Sequence, residues 1–453
     1  MKQFYFSLTL CIAVLFASCS HDDSIYTPTP PTIAIENLSI ETSIAQEDTI
    51  YLKAKIESPL ETTFTWSVNN VASVSDKVAT DSIYKFVQKE VGDYTVTLTA
   101  QNADGETKTT VNLNVYGKFK YGTFVLNEGS AFQENSSLIF ISPKGIVTDS
   151  AYWKVNHTEL GNTSQDLFIS AGKIYFIAQN GKSSLGNYPN DGKLIIANAE
   201  TLKKEAAYDD ELSVLSWPTH IAVLGNEVFI RDNKGIYSFN TSTKELKFIE
   251  GSNGAQKNRM AVAEGKVFVP ANKSVLVLEA GKSEISHKIE LNAAVSGVIK
   301  TSDNNIYIST TGTPNKISKI NAKNYSVIKE NEVSEGKLGA GWGATPGISA
   351  KGDTIYYGNA TTKIYRHIFN TGKSEYLIDA KDIVEDAGMA YNNLAVHPIS
   401  GEVYQTTIKA YGMDFLKNNI SVFNFSKSES KLRVNYKNHT HFPAGIFFTY
   451  DFE

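Results

Sequence analysis

Asp166-Leu167-Phe168-Ile169-Ser170-Ala171-Gly172-Lys173-Ile174-Tyr175-Phe176-Ile177 sets two apolar runs on either side of an Ala-Gly turn. Runs this short, rich in Ile, Tyr and Phe and broken by turn residues, read as the two strands of an antiparallel hairpin. The same register returns at residues 220–230, 260–269, 297–308, 347–357 and 393–404, each time with a Gly or Asn turn between the runs. Behind each hairpin follow a polar loop, a strand of the Ile-Tyr-Ser-Phe-Asn type, a Thr or Lys turn and a final strand. Six copies spaced by roughly 38 to 53 residues have the period of four-stranded propeller blades.

Both ends of this region hold incomplete copies. Gly122-Thr123-Phe124-Val125-Leu126-Asn127 and Ser137-Leu138-Ile139-Phe140-Ile141 lack a preceding partner strand, and Ala444-Gly445-Ile446-Phe447-Phe448-Thr449-Tyr450 lacks a following one. Pairing them would cover two edges that otherwise stay exposed. Residues 121–453 are therefore expected to form one seven-bladed β-propeller, with eight blades as the alternative count.

Upstream, residues 32–116 alternate apolar and polar positions in short runs such as Thr63-Phe64-Thr65-Trp66-Ser67-Val68 and Asp93-Tyr94-Thr95-Val96-Thr97-Leu98. Period-two alternation at this spacing reads as an Ig-like β-sandwich with Trp66 as its core aromatic. The stretch from Val91 to Glu106 resembles the closing hairpin of PKD domains, in which Asp104-Gly105 would turn the chain. Trp66-Ser67-Val68-Asn69-Asn70 stands where that family carries Trp-Asp-Phe-Gly-Asp-Gly, so the domain is PKD-like. The whole chain is thus expected to be all-β.

Composition narrows the chemistry. Lys and Arg number 43 against 48 Asp and Glu, a net charge of −5, which offers no basic stripe for nucleic acid. Only two cysteines occur, Cys11 and Cys19, so the fold downstream has no thiolate nucleophile, disulfide or Cys-ligated metal. No Gly-x-Ser-x-Gly elbow and no His-Glu-x-x-His pair is present. Neither a catalytic residue, a metal nor a cofactor is expected.

Lys2, an apolar run from Phe4 to Phe16, and Ala17-Ser18 before Cys19 have the layout of a secretory signal, too short to span a membrane comfortably. The ending resembles the lipobox of bacterial lipoproteins, although Phe16 stands where Leu is preferred. It implies that residues 1–18 are removed and Cys19 is lipidated. Residues 19–31, with Asp22-Asp23 and Thr27-Pro28-Thr29-Pro30-Pro31, then read as an extended tether. The acidic pair resembles the surface-export signal of Bacteroidota lipoproteins, which implies an outer-membrane anchor facing the cell exterior.

Gly122-Thr123-Phe124-Val125-Leu126-Asn127-Glu128-Gly129, followed by Asn135-Ser136-Ser137-Leu138, resembles the opening of the YncE-like propeller lipoproteins of Bacteroidota grouped as DUF5074. That group includes surface lipoproteins that capture vitamin B12 over a TonB-dependent transporter. The resemblance implies capture of a nutrient, with cobalamin as the first ligand to consider and such a transporter as partner.

Propellers bind ligands with the loops between blades and those joining second and third strands. On this strand assignment the candidates are Asn127, Glu128, Gln179, Trp217, His220, Arg231, Trp342, Tyr391, Asn392 and His441. Gln165, Asn180, Asn258, Arg259, Asn272, Thr345, Asn359, Tyr411 and Phe442 belong to the same loops. Aromatics and amides with few charges suit a large, mostly neutral ligand. A corrinoid fits, and so does a glycan stacked on Trp153, Trp217 or Trp342. Trp217, beside Pro218, is equally readable as a core plug. His439 and His441 have no carboxylate near them in the sequence, which argues against a metal site; His441 would be an axial ligand if the ligand is a corrinoid. The rival readings are a surface glycan-binding protein, a propeller hydrolase or lyase, and a scaffold whose central channel holds nothing.

Overall fold

The computed structural model describes residues 26–69, 71–72, 82–130, 133–182, 189–341, 345–426 and 431–452. The expected signal segment 1–18, Cys19, Asp22-Asp23 and the candidate Trp342 lie outside the described residues. The chain divides into two units, Met1–Val115 and Tyr116–Glu453. No helix among the described residues is long and apolar enough to cross a membrane.

In the first unit a sheet of Thr32–Asn37, Ile50–Glu57 and Ile83–Phe86 packs on a five-stranded sheet. The latter runs in the order Ser43–Ala45, Gly105–Tyr116, Gly92–Asn102, Thr63–Val68, Val71–Ala72. Alternation turns every second side chain inward, which buries Trp66 with Ile50, Leu52, Phe86 and Leu98. Its indole stacks on Tyr84 with ring centroids 5.3 Å apart. The turn falls one residue earlier than expected: Ala103-Asp104 form the loop, and Gly105 already pairs with Asn102. The reason is the Asn102 side chain, whose Oδ1 accepts from the amides of Asp104 at 2.9 Å and Gly105 at 3.1 Å. Gly105 takes the backbone strain at φ 148°.

The second unit is a succession of antiparallel sheets, seven among the described residues. The first consists of Pro443–Phe448, Thr123–Asn127, Ser137–Ile141 and Val147–Thr148, so the last strand of the chain is the innermost strand of its first sheet. The next five begin with Asn162–Ser170, His220–Leu224, Ala261–Ala263, Ala294–Lys300 and Ser349–Lys351. In the seventh, Met389–Ala390 and Ala395–Val396 both pair with Val403–Ile408.

Each sheet is covered on both faces by its neighbours. Ile174 and Phe176 pack toward the first sheet with Phe124 and Leu138. Tyr175 and Ile177, one residue out of phase, pack toward the third with Val228 and Ile230. Two buried faces explain why the repeat reads as continuous apolar runs rather than alternation. A fully buried side chain such as Phe176 contributes roughly 1.5–3 kcal/mol. Tyr404, Ile420 and Val422 of the seventh sheet share a buried cluster with Ile139, Ile141 and Phe448 of the first.

The inner hairpins share one orientation. Ser170 pairs with Lys173 and Leu224 with Glu227 beside the tight turns, while Asn162 pairs with Asn180 and His220 with Arg231 at the opposite, open end.

Candidate functional site

Side chains from the first, second and seventh sheets meet at the open end. Gln179 Nε2 donates to Gln165 Oε1 at 2.7 Å, and Gln165 Nε2 donates to Glu128 Oε1 at 3.2 Å. Tyr391 Oη donates to Glu128 Oε2 at 3.4 Å. Burial pushes the Glu128 carboxyl above the usual range, against the pull of Lys257 and the bonds from Gln165 and Tyr391. Burial likewise raises the Tyr391 phenol, with the Glu128 charge adding to it. Lys257 and Arg231, from the loop before the fourth sheet and the edge of the third, are both held below their ordinary values by burial. The result is a line of amide, carboxyl and phenol groups with two desolvated cations close by.

Three candidates of the same face are buried in the framework. Asn127 Nδ2 donates to Ser137 Oγ, and Asn392 Nδ2 donates to the carbonyls of Pro443 and Ala444. Asn258 does the same for the fourth and fifth sheets, donating to the Ser296 carbonyl at 3.1 Å. Asn392 and Asn258 thus staple one sheet to the next, while Asn127 ties two strands of the first sheet together. His220 is wholly buried at the head of its strand, so a bound molecule reaches it only if neighbours move.

Others lie open. Trp217 is 63% exposed at φ 58°, so it does not plug the core. Tyr411 is also exposed. Phe442 joins Tyr391 to Phe415, with ring centroids at 5.5 Å and 4.4 Å. His441 lies edge-on to Phe415 and its Nδ1 is 3.1 Å from Glu134 Oε1 and Oε2. His439 Nδ1 is 2.8 Å from Asp149 Oδ1. The expectation that no carboxylate approaches these histidines is therefore corrected: the fold brings one to each from the first sheet's loops, 290 or more residues away in sequence. No group of three or more His, Cys, Asp or Glu side chains suited to a metal occurs among the described residues.

A cavity of about 1210 Å³ lies elsewhere. All seven inner strands line it, from Asp166, Arg259 and Asn393 down to the tight turns at Gly225, Gly352 and Gly401. None of the nine principal candidates among the described residues lines it. Arg259 occupies its inner part. Its Nε is 3.2 Å from Asp166 Oδ1, Nη1 donates to the Ile446 carbonyl at 3.3 Å, and the guanidinium lies 3.8 Å from the Phe447 ring centroid. Asp166 Oδ2 accepts from the Ile221 amide at 3.1 Å. Gly445 lies beneath it, where a Cβ would meet the guanidinium as placed.

Sequence reasoning passed over Asp166 and Lys257. Asp166 did carry a signal: it is the one charge at the head of an apolar run, and a buried charge needs a partner. Lys257 gave none, since its partner Glu128 is more than a hundred residues away.

Residues 121–449 match the family described as a domain of unknown function, DUF5074, and residues 37–115 match the PKD domain. The chain belongs to the DUF5074 family. Among solved structures, this DUF5074 protein is similar to a quinonprotein alcohol dehydrogenase-like protein from Bacteroides thetaiotaomicron, with 16% identity over 93% of this chain and 99% of that one, at a TM-score of 0.52. A protein of unknown function from Bacteroides caccae shares 15% identity over 48% of this chain and 71% of that one, at a TM-score of 0.31. BamB from Moraxella catarrhalis shares 9% over 68% of this chain and 85% of its own, at a TM-score of 0.39. The first likeness supports a β-propeller fold for the DUF5074 region and carries no activity with it. No curated protein sequence matches the chain.

Proposed function

We propose that the chain is a non-enzymatic surface lipoprotein whose seven sheets are the blades of one propeller, and that its open-end face captures a large, polar, mostly neutral nutrient. Lipidated Cys19 anchors it to the outer membrane, the PKD unit and the Pro-rich tether space it outward, and a TonB-dependent transporter receives the ligand. The observation that carries this reading is the Gln179–Gln165–Glu128–Tyr391 line, with Trp217 and Tyr411 exposed among the other loop candidates. Such a surface offers stacking area and amide hydrogen bonding without a nucleophile and its activating base.

Cobalamin is the ligand to test first, on the strength of the resemblance of residues 122–138 to the vitamin B12-capturing lipoproteins. Its ring of amides complements the glutamine pair. Incubation of the purified chain with cyanocobalamin followed by gel filtration should carry the pink chromophore with the protein. Colourless protein at micromolar concentrations contradicts the reading. The exposed indole of Trp217 equally suits a glycan on the same face, and binding to a polysaccharide panel without cobalamin binding would favour that alternative. Replacing Cys19 with Ala should release the protein from the membrane fraction.

A further inference from the structure

A cavity of about 360 Å³ lies apart from the line of amides, where the first sheet meets the segment that follows it. That segment contains the helix Ala151–Asn156, the only α-helix among the described residues. A repeat fold that departs from its repeat at one place commonly does so for binding. Ser150 and His157, in left-handed conformations at φ 51° and 55°, confine the helix to six residues. It presents Trp153 with 48% of its surface exposed, and His157 stands edge-on to the indole with centroids 5.8 Å apart.

The remaining walls are polar and already oriented. Glu134 is held by His441 and Asp149 by His439, at the distances given above, and Glu159 Oε2 accepts from Asn135 Nδ2 at 2.8 Å. Trp153, the three carboxylates and the two imidazoles all line this one cavity. An apolar aromatic face beside fixed acceptors and imidazoles complements a pyranose ring, which has a C–H face to stack and hydroxyls that both donate and accept. Among the described residues no Lys or Arg lines the cavity, so the carboxylates would repel a phosphorylated sugar or a uronate. We propose that this cavity is a second binding site, for a neutral hexopyranose, stacked on Trp153 and hydrogen-bonded by Glu134, Asp149 and Glu159.

The site shares His441 with the open-end candidates but uses none of Gln179, Gln165, Glu128 or Tyr391, so it stands whatever that line of groups binds. To test it, the purified full chain is titrated with the methyl glycosides of glucose, galactose and mannose, and with glucuronic acid and glucosamine, by calorimetry and tryptophan fluorescence. At least one neutral glycoside should bind saturably in the millimolar range or tighter, while glucuronic acid does not. Trp153→Ala should weaken that binding about tenfold or more, and Trp153→Phe should restore part of it. Val327→Ala, an exposed change on the outer strand of the fifth sheet, should leave it unchanged, and cyanocobalamin binding, measured on the same samples, should be indifferent to Trp153→Ala. Three results overturn the proposal: no neutral glycoside saturates by about 10 mM, Trp153→Ala binds as well as the parent, or glucosamine binds more than tenfold tighter than every neutral sugar, which would make the cavity a cation site. Because Trp153 is half exposed, an unchanged melting curve is expected of both variants and verifies that they fold.

Discussion

Arg259 and Asp166, from the loop before the fourth sheet and from the second sheet's inner strand, form an ion pair at 3.2 Å inside the cavity that all seven inner strands enclose. The pair puts two charges where the surrounding strands are apolar, and the energetic consequences are measurable.

Removing one charge should be costly. At pH 8, Asp166→Asn leaves the Arg259 guanidinium without its counter-charge and is expected to lower the unfolding free energy by about 3–5 kcal/mol. The double variant Asp166→Asn with Arg259→Met should recover most of the loss. Urea denaturation of the single and double variants measures both.

Burial pushes the Asp166 carboxyl up to about 7, despite Arg259 and the backbone amides that favour its charged form. With a raised value, the folded protein binds more protons than the unfolded chain between the ordinary aspartate range and about pH 7. Stability therefore falls as pH rises through that window and levels off above it. In Asp166→Asn this downward slope should be shallower than in the parent, as read from denaturation midpoints at a series of pH values.

The guanidinium is the far end of a flexible side chain, but the ion pair and the Phe447 ring hold it in place over Gly445. Gly445→Ala should lower the melting temperature in the parent and cost much less in an Arg259→Ala background. Equal costs in both would show that Arg259 does not set the need for glycine there. Calorimetry of the four proteins forms the cycle.

Pro443–Phe448 is the innermost strand of a sheet whose other members begin at Thr123, more than three hundred residues earlier. A chain ending at residue 442 should leave Thr123–Asn127 as a bare apolar edge and uncover Tyr404, Ile420 and Val422. Loss of the cooperative unfolding transition, with aggregation on gel filtration, is the expected result.

The fold was largely legible because its signal is local and repeated. Copies such as Ile174-Tyr175-Phe176-Ile177 and Val228-Phe229-Ile230 carry the two-faced packing in every occurrence, and the orphan strand at Phe447 declares itself by lacking a partner. The Asn102 turn was misplaced by one residue because a side-chain acceptor, rather than the Asp-Gly pair, fixes it. Residue type left Trp217 open between a core plug and a loop platform and offered His220 as a ligand contact, whereas Trp217 turns outward on a left-handed backbone and His220 is sealed at a strand head. The relay of Gln165, Glu128 and Tyr391 and the histidine–carboxylate pairs join residues 37 to 307 apart. Such pairings depend on which sheets become neighbours, and nothing in the spacing of residues along the chain encodes that.

The open-end face, and not the cavity that Arg259 lines, is proposed to hold the nutrient. Spectroscopic titration with cyanocobalamin of the parent, Gln179→Ala, Trp217→Ala and Lys300→Glu, the last on the cavity wall, tests it most directly. One equivalent should bind at micromolar affinity or tighter, with about tenfold weakening, or ~1.4 kcal/mol, in each open-end variant and no change in Lys300→Glu. Absence of binding to the parent, or weakening confined to Lys300→Glu, would contradict it.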